Sequence, residues 1–131
     1  MAENNIRTIA SPEPNTETEK FWEGARQGKL IIQKCNDTGR HYWYPRARSP
    51  FTLTDDVSWV EAKGTGTIYT FSVMKRAKIN YCIAYVELDE GVRMMTNIVD
   101  TDYDQIKIGD KVKVVFKDSE NGIPVPMFTP V

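Results

Sequence analysis

The chain of 131 residues is long enough for one domain with a real core and too short for two full ones. It has 17 Lys and Arg residues against 18 Asp and Glu residues, which gives a formal net charge of -1. This balance argues against a protein that binds nucleic acid along its surface, because such proteins present an excess of positive charge.

Cysteine content and the N-terminal composition indicate the cellular compartment. Cys35 and Cys82 lie far apart in the sequence and make neither a disulfide framework nor a metal knuckle. Residues 1–14 are polar and lack the basic start and apolar stretch of a secretory signal. No apolar run approaches the length of a membrane span. We therefore expect a cytoplasmic protein without a membrane partner.

A short helix is predicted near the N-terminus. Thr16 and Glu19 have the spacing of a capping box. Phe21 and Trp22 begin an apolar face, and Gly28 is a typical stop signal.

A degenerate metal-binding motif follows the helix. Structural zinc ribbons take four thiolate or imidazole ligands, usually from two C-x-x-C knuckles. Hydroxyl groups are poor substitutes, and one thiolate with the nearby His41 does not complete a tetrahedral site. We therefore predict a ribbon that binds no zinc and is ordered instead by burial of its aromatic side chains. The four vestigial ligand positions hold Cys35, Thr38, Ser49 and Thr52.

The rest of the chain has the pattern of an all-β unit. One long strand is predicted from about residue 58 to residue 74, broken near Gly64 and Gly66. Five strands with a curled first strand fit a small closed barrel of the OB type, and a β-sandwich is the alternative. The further strands are predicted at residues 81–88, 92–99, 111–116 and 125–128.

These elements predict a mainly β fold, in which a five-stranded OB-fold barrel is preceded by an N-terminal helix and a degenerate, metal-free zinc ribbon. We divide the chain into a flexible N-terminal arm at residues 1–15, a helix and ribbon segment at residues 16–55, and the barrel at residues 56–131.

Several short motifs occur in a fixed order from about residue 17 to the end of the chain. In the N-terminal half they are Phe21-Trp22, Gly28-x-Leu30, Cys35, Gly39, Pro45-Arg46 and Pro50. In the C-terminal half they are Gly64-x-Gly66-x-Ile68-Tyr69-x-Phe71, Val86-x-Leu88-x-Glu90-Gly91-Val92-Arg93, Ile108-Gly109-x-x-Val112 and Pro126-x-Phe128-x-Pro130. In their order and spacing the chain resembles the bacterial and archaeal acyl-CoA-associated OB-fold proteins with an N-terminal rubredoxin-like zinc ribbon, long known only as a domain of unknown function.

The resemblance implies a function. Members of that family are often assembled with thiolases, ketoacyl synthases, hydratases or aldolases that act on CoA thioesters. The resemblance therefore implies a non-catalytic accessory subunit that stabilises a thiolase-like or other acyl-CoA enzyme and helps form its CoA-thioester site. This sequence departs from the family pattern at three of the four metal positions, so we expect no zinc-dependent role.

Basic residues are the candidates for contacts with CoA phosphates, since loop cations attract phosphate groups. No tightly bound cofactor is expected, and CoA or an acyl-CoA is the expected ligand. The alternative is a solvated basic surface, or, for Arg46, a salt bridge between ribbon and barrel. The candidates are Arg46 and Arg48 in the ribbon, with Lys75, Arg76 and Lys78 in the loop after the first barrel strand.

Aromatic residues are the candidates for partner binding. Phe21, Trp22 and Trp43 would anchor a partner protein, because aromatic side chains dominate such contacts, or they would fold back onto this chain's own ribbon. No catalytic residue is assigned, since the single histidine has no evident orienting acid and neither a phosphate-binding glycine loop nor an H-E-x-x-H motif occurs.

Two other functions stay open at this point. An OB-fold module for single-stranded nucleic acid would stack bases on Tyr69, Phe71 and Tyr85, although the net charge counts against it. A stand-alone acyl-CoA-binding protein or independent enzyme is the other, and turnover of an acyl-CoA by the purified chain would support it.

Overall fold

The computed structural model describes residues 7–131, and within them the chain forms one helix and eight strands. No helix in this range is long and apolar enough to cross a lipid bilayer. The elements are α1 (Glu19–Arg26), β1 (Ile31–Cys35), β2 (His41–Tyr42), β3 (Val57–Glu61), β4 (Thr65–Met74), β5 (Tyr81–Leu88), β6 (Arg93–Ile98), β7 (Lys111–Asp118) and β8 (Pro124–Pro130).

The last five strands close into a barrel in the order β4-β5-β6-β8-β7, and β7 pairs back onto β4. All neighbours are antiparallel except β6 and β8, which pair in parallel where Ile98 faces Phe128. Burial alternates along β5 and β6, as expected for strands with one face in the core and one in solvent. The predicted five-stranded OB-fold barrel is confirmed.

The first three strands form a separate antiparallel sheet in the order β2-β1-β3. The prediction of one interrupted strand from residue 58 to residue 74 is wrong here, because β3 pairs with β1 along its whole length and is not part of the barrel. Gly64 separates the two strands with a φ of 80°, and a Cβ atom at this position would lie 2.6 Å from Cγ1 of Val114. The turn from one sheet to the other therefore requires glycine.

The helix is preceded by a turn that two side chains close. Asn15 Oδ1 accepts hydrogen bonds from the backbone N–H groups of Glu17 (3.0 Å) and Thr18 (3.1 Å). Thr18 Oγ1 in turn accepts a bond from the N–H of Asn15 at 2.9 Å. This reciprocal pair has the form of a capping box. It begins one residue earlier than the predicted pair of Thr16 and Glu19.

The ribbon sheet and the barrel share one hydrophobic core. Phe21 of α1, Leu30 and Ile32 belong to the same cluster of buried side chains as Val86 and Phe128 of the barrel. The helix also contacts β8. The two parts are therefore packed together through apolar side chains.

The predicted flexible arm falls partly within the described residues, and its residues 1–6 lie outside them. From Arg7 onward the segment lies against the barrel. The N–H of Glu120 donates to the carbonyl oxygen of Ile9 at 3.0 Å, and the N–H of Asn121 donates to Ser11 Oγ at 2.9 Å. Residues 7–11 are thus hydrogen-bonded to the turn between β7 and β8.

Candidate functional site

The four vestigial ligand positions come together at the end of β1. The Cys35 side chain is fully buried, with its Sγ 3.9 Å from Thr52 Oγ1. Hydrogen bonds from Ser49 and Thr38 lower the pKa of Cys35 to about 7, against the smaller opposing effect of burial. The fold therefore places one thiol among three hydroxyl groups.

The second knuckle keeps its backbone shape through Ser49. This fully buried side chain accepts hydrogen bonds at Oγ from the N–H groups of Phe51 (3.0 Å) and Thr52 (3.3 Å). The N–H of Leu53 donates to the carbonyl oxygen of Ser49 at 2.9 Å. A serine hydroxyl can thus hold the turn that a cysteine would hold in a zinc ribbon.

This donor set does not fit zinc. Structural zinc sites use thiolates and imidazoles, and carboxylates less often, whereas three of the four positions hold neutral hydroxyls. Within residues 7–131, no group of three or more His, Cys, Asp or Glu side chains could hold a metal ion. That the protein binds no zinc remains a prediction.

Aromatic packing is present around the degenerate site. The Tyr42 ring is buried and packs edge-on against Phe51, with ring centroids 6.2 Å apart. The Arg40 guanidinium lies 3.8 Å from the Phe51 ring centroid on the same segment. Burial raises the pKa of Tyr42, so its hydroxyl stays protonated at neutral pH. These contacts are of the kind expected to order a ribbon without metal.

Arg46 is held through its backbone, and its guanidinium takes part in neither ion pair found within residues 7–131. The buried Gln33 amide donates to the carbonyl oxygen of Arg46 at 2.8 Å and accepts from its N–H at 2.7 Å. The Tyr42 hydroxyl donates to the same carbonyl at 3.3 Å. Arg46 itself is exposed beside Trp59 of β3. Gln33 is not predicted from the sequence as a site residue, because a single glutamine in an apolar strand carries no motif.

The other ribbon cation has a local role. Arg48 is exposed, but its Nη1 donates to the carbonyl oxygen of Leu53 at 3.1 Å, across the loop that contains Ser49. Part of the donor capacity of Arg48 is therefore already used within this chain, and Arg46 is the freer of the two arginines.

The second basic group follows β4. Lys75, Arg76 and Lys78 are exposed in this turn and take part in neither of the two ion pairs found within residues 7–131. Lys75 borders a hollow that also contains Asp102 and Asp104, whose negative charges oppose phosphate binding there.

The ribbon adjoins the beginning of β4, and the basic turn follows its end. Arg46 borders a hollow with Trp59, whereas Lys75 borders another with Asp102 and Asp104, so the two basic groups line different hollows.

The candidate partner-binding aromatics differ in exposure. Phe21 is only 4% exposed and packs against Trp22 (4.8 Å between ring centroids) and Trp43 (5.0 Å). Trp22 and Trp43 are partly buried against the same core. Phe21 thus folds back into this chain, whereas the two tryptophans keep some exposed surface.

A cavity of about 360 Å³ at one end of the barrel was not anticipated from the sequence. We call it the barrel-mouth cavity. Its walls come from the arm, the turn before β5 with the start of β5, the end of β6 with the connector after it, and strands β7 and β8, so no local motif marks it. It is lined by Arg7, Ile9, Ile79, Asn80, Tyr81, Asn97, Val99, Asp100, Tyr103, Lys117 and Met127.

Comparison with known proteins identifies the family. Residues 59–117 match the family described as the ChsH2 C-terminal OB-fold domain, and residues 22–48 match the ChsH2 rubredoxin-like zinc ribbon domain. A DUF35 domain-containing scaffold protein of Methanothermobacter thermautotrophicus is 32% identical over 120 residues, which cover 82% of this chain and 90% of that protein. The chain belongs to the DUF35 family. The resemblance stated from the sequence is confirmed.

Longer relatives and solved structures agree with this assignment. The probable enoyl-CoA hydratase alpha subunit of Thermomonospora curvata is 36% identical over 118 residues, and this chain spans only 36% of its length. In the solved structure titled Ltp2-ChsH2(DUF35) aldolase, one chain is 31% identical with a TM-score of 0.81, covering 92% of this chain and 98% of that one. A DUF35 protein of unknown function from Sulfolobus solfataricus, 16% identical with a TM-score of 0.65, shares the fold.

Proposed function

We propose that this DUF35 chain is a non-catalytic accessory subunit that binds a thiolase-like or other acyl-CoA enzyme in the cytoplasm and helps form its CoA-thioester site. The observation that carries the proposal is the near full-length match to a chain of the Ltp2-ChsH2(DUF35) aldolase. The scaffold protein of similar length supports it, as do the hydratase subunits that contain a related segment.

Capture of the partner tests the proposal directly. The tagged chain would be purified from its native cell, and proteins that co-purify at a fixed ratio would be identified. We expect one thiolase, ketoacyl synthase, hydratase or aldolase subunit in a stable complex. A chain that purifies alone and itself turns over an acyl-CoA would instead support the independent-enzyme alternative.

The contact with CoA is proposed for the exposed cations, Arg46 above all. Its backbone is fixed by Gln33 and Tyr42, so the guanidinium extends from an ordered position. A planar guanidinium binds phosphate with two parallel hydrogen bonds. The nearby Trp59 offers an aromatic surface for a base.

The two basic groups need separate tests, since they line different hollows. In the complex, we expect charge reversal of the two ribbon arginines, Arg46 and Arg48, to raise the KM for acyl-CoA about tenfold or more. The kcat should change little, because the arginines would contribute to substrate binding and not to the chemical step. Unchanged KM in an intact complex would rule out a phosphate contact for that group. The reversals are Arg46→Glu with Arg48→Glu, Lys75→Glu with Arg76→Glu, and, as a control of equal charge change, Lys111→Glu with Lys113→Glu.

A single-stranded nucleic-acid module is the second candidate, because two tyrosines are exposed on adjacent barrel strands. Tyr69 and Tyr85 are 47% and 44% exposed, whereas Phe71 is partly buried in the core. The Arg93 guanidinium lies 3.9 Å from the Tyr69 ring centroid and also pairs with Glu87. Oligonucleotide binding that weakens steeply with salt and is lost in Tyr69→Ala would favour this function over the first.

A further inference from the structure

The barrel-mouth cavity has a chemical character that the accessory role does not explain. At about 360 Å³ it lies near the lower end of the range of roughly 300–1,000 Å³ typical of small-molecule sites. Ile79, Val99 and Met127 supply an apolar wall, which the rings of Tyr81 and Tyr103 extend. Such a wall suits a hydrocarbon chain of moderate length.

The charged side chains that line this cavity leave an excess of positive charge. Lys117 Nζ lies 2.7 Å from Asp100 Oδ2, so these two opposite charges largely cancel. Arg7 lies 3.9 Å from the Tyr81 ring centroid and belongs to neither ion pair found within the described residues. Two cations and one carboxylate thus leave one positive charge, at Arg7, to attract an anion.

Neutral hydrogen-bond donors add to the preference of the cavity for an anion. Burial raises the pKa of Tyr103, so its phenol remains a hydrogen-bond donor at neutral pH. Asn80 also lines the cavity. Asn97, by contrast, already donates from Nδ2 to the carbonyl oxygen of Cys82 at 2.9 Å, so this amide group links β6 to β5.

The N-terminal arm forms one wall of the cavity through Arg7 and Ile9. The arm is held there by the hydrogen bonds of Ile9 and Ser11 to Glu120 and Asn121. The free cation is therefore carried by a segment that lies outside the barrel strands, and it can be substituted without disturbing the core.

We propose that the barrel-mouth cavity is a binding site for a medium-chain carboxylate. The hydrocarbon chain packs against Ile79, Val99 and Met127, and the carboxylate contacts Arg7. The binding requires only this chain, so it stands apart from the accessory role. Loss of a partner enzyme would leave it unchanged.

The experiment is calorimetric titration of the full chain with decanoate, and with decylamine as a probe of equal chain length and opposite charge. We expect saturable one-to-one binding of decanoate and at least about tenfold weaker binding of decylamine. Arg7→Gln should remove most of that difference, because it removes the free charge. Equal affinities for the two probes in the parent chain, or no saturable binding of decanoate, would overturn the proposal.

A pair of Ile-to-Glu variants tests whether decanoate binds in this cavity. Ile79→Glu places a carboxylate in the apolar wall and is expected to weaken decanoate binding about tenfold or more. Ile108→Glu makes the same change at a side chain that is 67% exposed and does not line the cavity, and should leave binding unchanged. Equal binding by both variants, each with a parent-like unfolding midpoint, would exclude this cavity as the site.

Discussion

Hydroxyl groups of Thr38, Ser49 and Thr52 surround the Cys35 thiol where a zinc ribbon would carry thiolates. The first knuckle is closed by a hydrogen bond from the N–H of Gly39 to the carbonyl oxygen of Cys35 at 2.8 Å, and the second by Ser49. We therefore expect the triple change of Thr38, Ser49 and Thr52 to Cys to create a zinc site with a stoichiometry of one. Metal content by mass spectrometry, with the parent chain as control, measures this. A triple variant that folds but binds no zinc would show that the ligand positions no longer converge well enough.

The titration of Cys35 is a second prediction at the level of residues. Hydrogen bonds, that from Ser49 first, lower its pKa from 9.0 to about 7. The folded chain then loses this proton more readily than the unfolded chain, so the group's stabilising effect grows as pH rises from about 7 toward 9 and is lost as pH falls through 7. Burial raises the pKa of Cys82, so this thiol loses its proton at a higher pH than Cys35 does.

Ultraviolet absorbance of the thiolate checks this titration. We expect a step centred near pH 7 in the parent chain and none there in Cys35→Ala. The difference in unfolding midpoint between the two proteins should also increase from pH 7 to pH 9. A first thiol step that survives in Cys35→Ala would assign the lowered pKa to another group.

Among the elements, β4 depends on a glycine for its pairing with β5. A Cβ atom on Gly66 would lie 2.3 Å from the backbone oxygen of Glu87, so the two strands would have to move apart. We expect Gly66→Ala to lower the free energy of unfolding by about 1–3 kcal/mol, as overpacking does. Ser72→Ala, an exposed position on the same strand, is the control and should change it by less than about 0.5 kcal/mol in urea unfolding. Similar midpoints for both variants would contradict the steric argument.

The elements also show what sequence patterns can and cannot predict. The strand predicted at residues 81–88 matches β5 to the residue, because the turn residues Asp89-Glu90-Gly91 that follow it are a local signal. The assignment of β3 failed because its partner, β1, is distant in sequence and only pairing shows which sheet it joins. The vestigial ligands were found through their C-x-x-C spacing, whereas the barrel-mouth cavity combines five separate segments that no local pattern connects.

For the molecule as a whole, the shared core implies that ribbon and barrel unfold together. Phe21 packs on Trp22 and Trp43 in the same cluster as the barrel residue Phe128. All three tryptophans, the third being Trp59, precede the barrel strands, so their fluorescence reports on α1 and the three-stranded sheet β2-β1-β3 with its loops. Circular dichroism reports mainly on the barrel, which contains most of the strand residues among residues 7–131.

Urea unfolding followed by both signals should therefore give coincident transitions. Phe21→Ala is expected to remove about 3–5 kcal/mol and to shift both transitions equally, because the cavity it leaves lies in the shared core. Tyr85→Ala, at a side chain that is 44% exposed, is the matched aromatic control and should shift them far less. If fluorescence changed at lower urea than circular dichroism in the parent chain, the ribbon would unfold independently. The Phe21 cluster would then be too weak to couple the two sheets, and order in the ribbon would have to come from a bound partner.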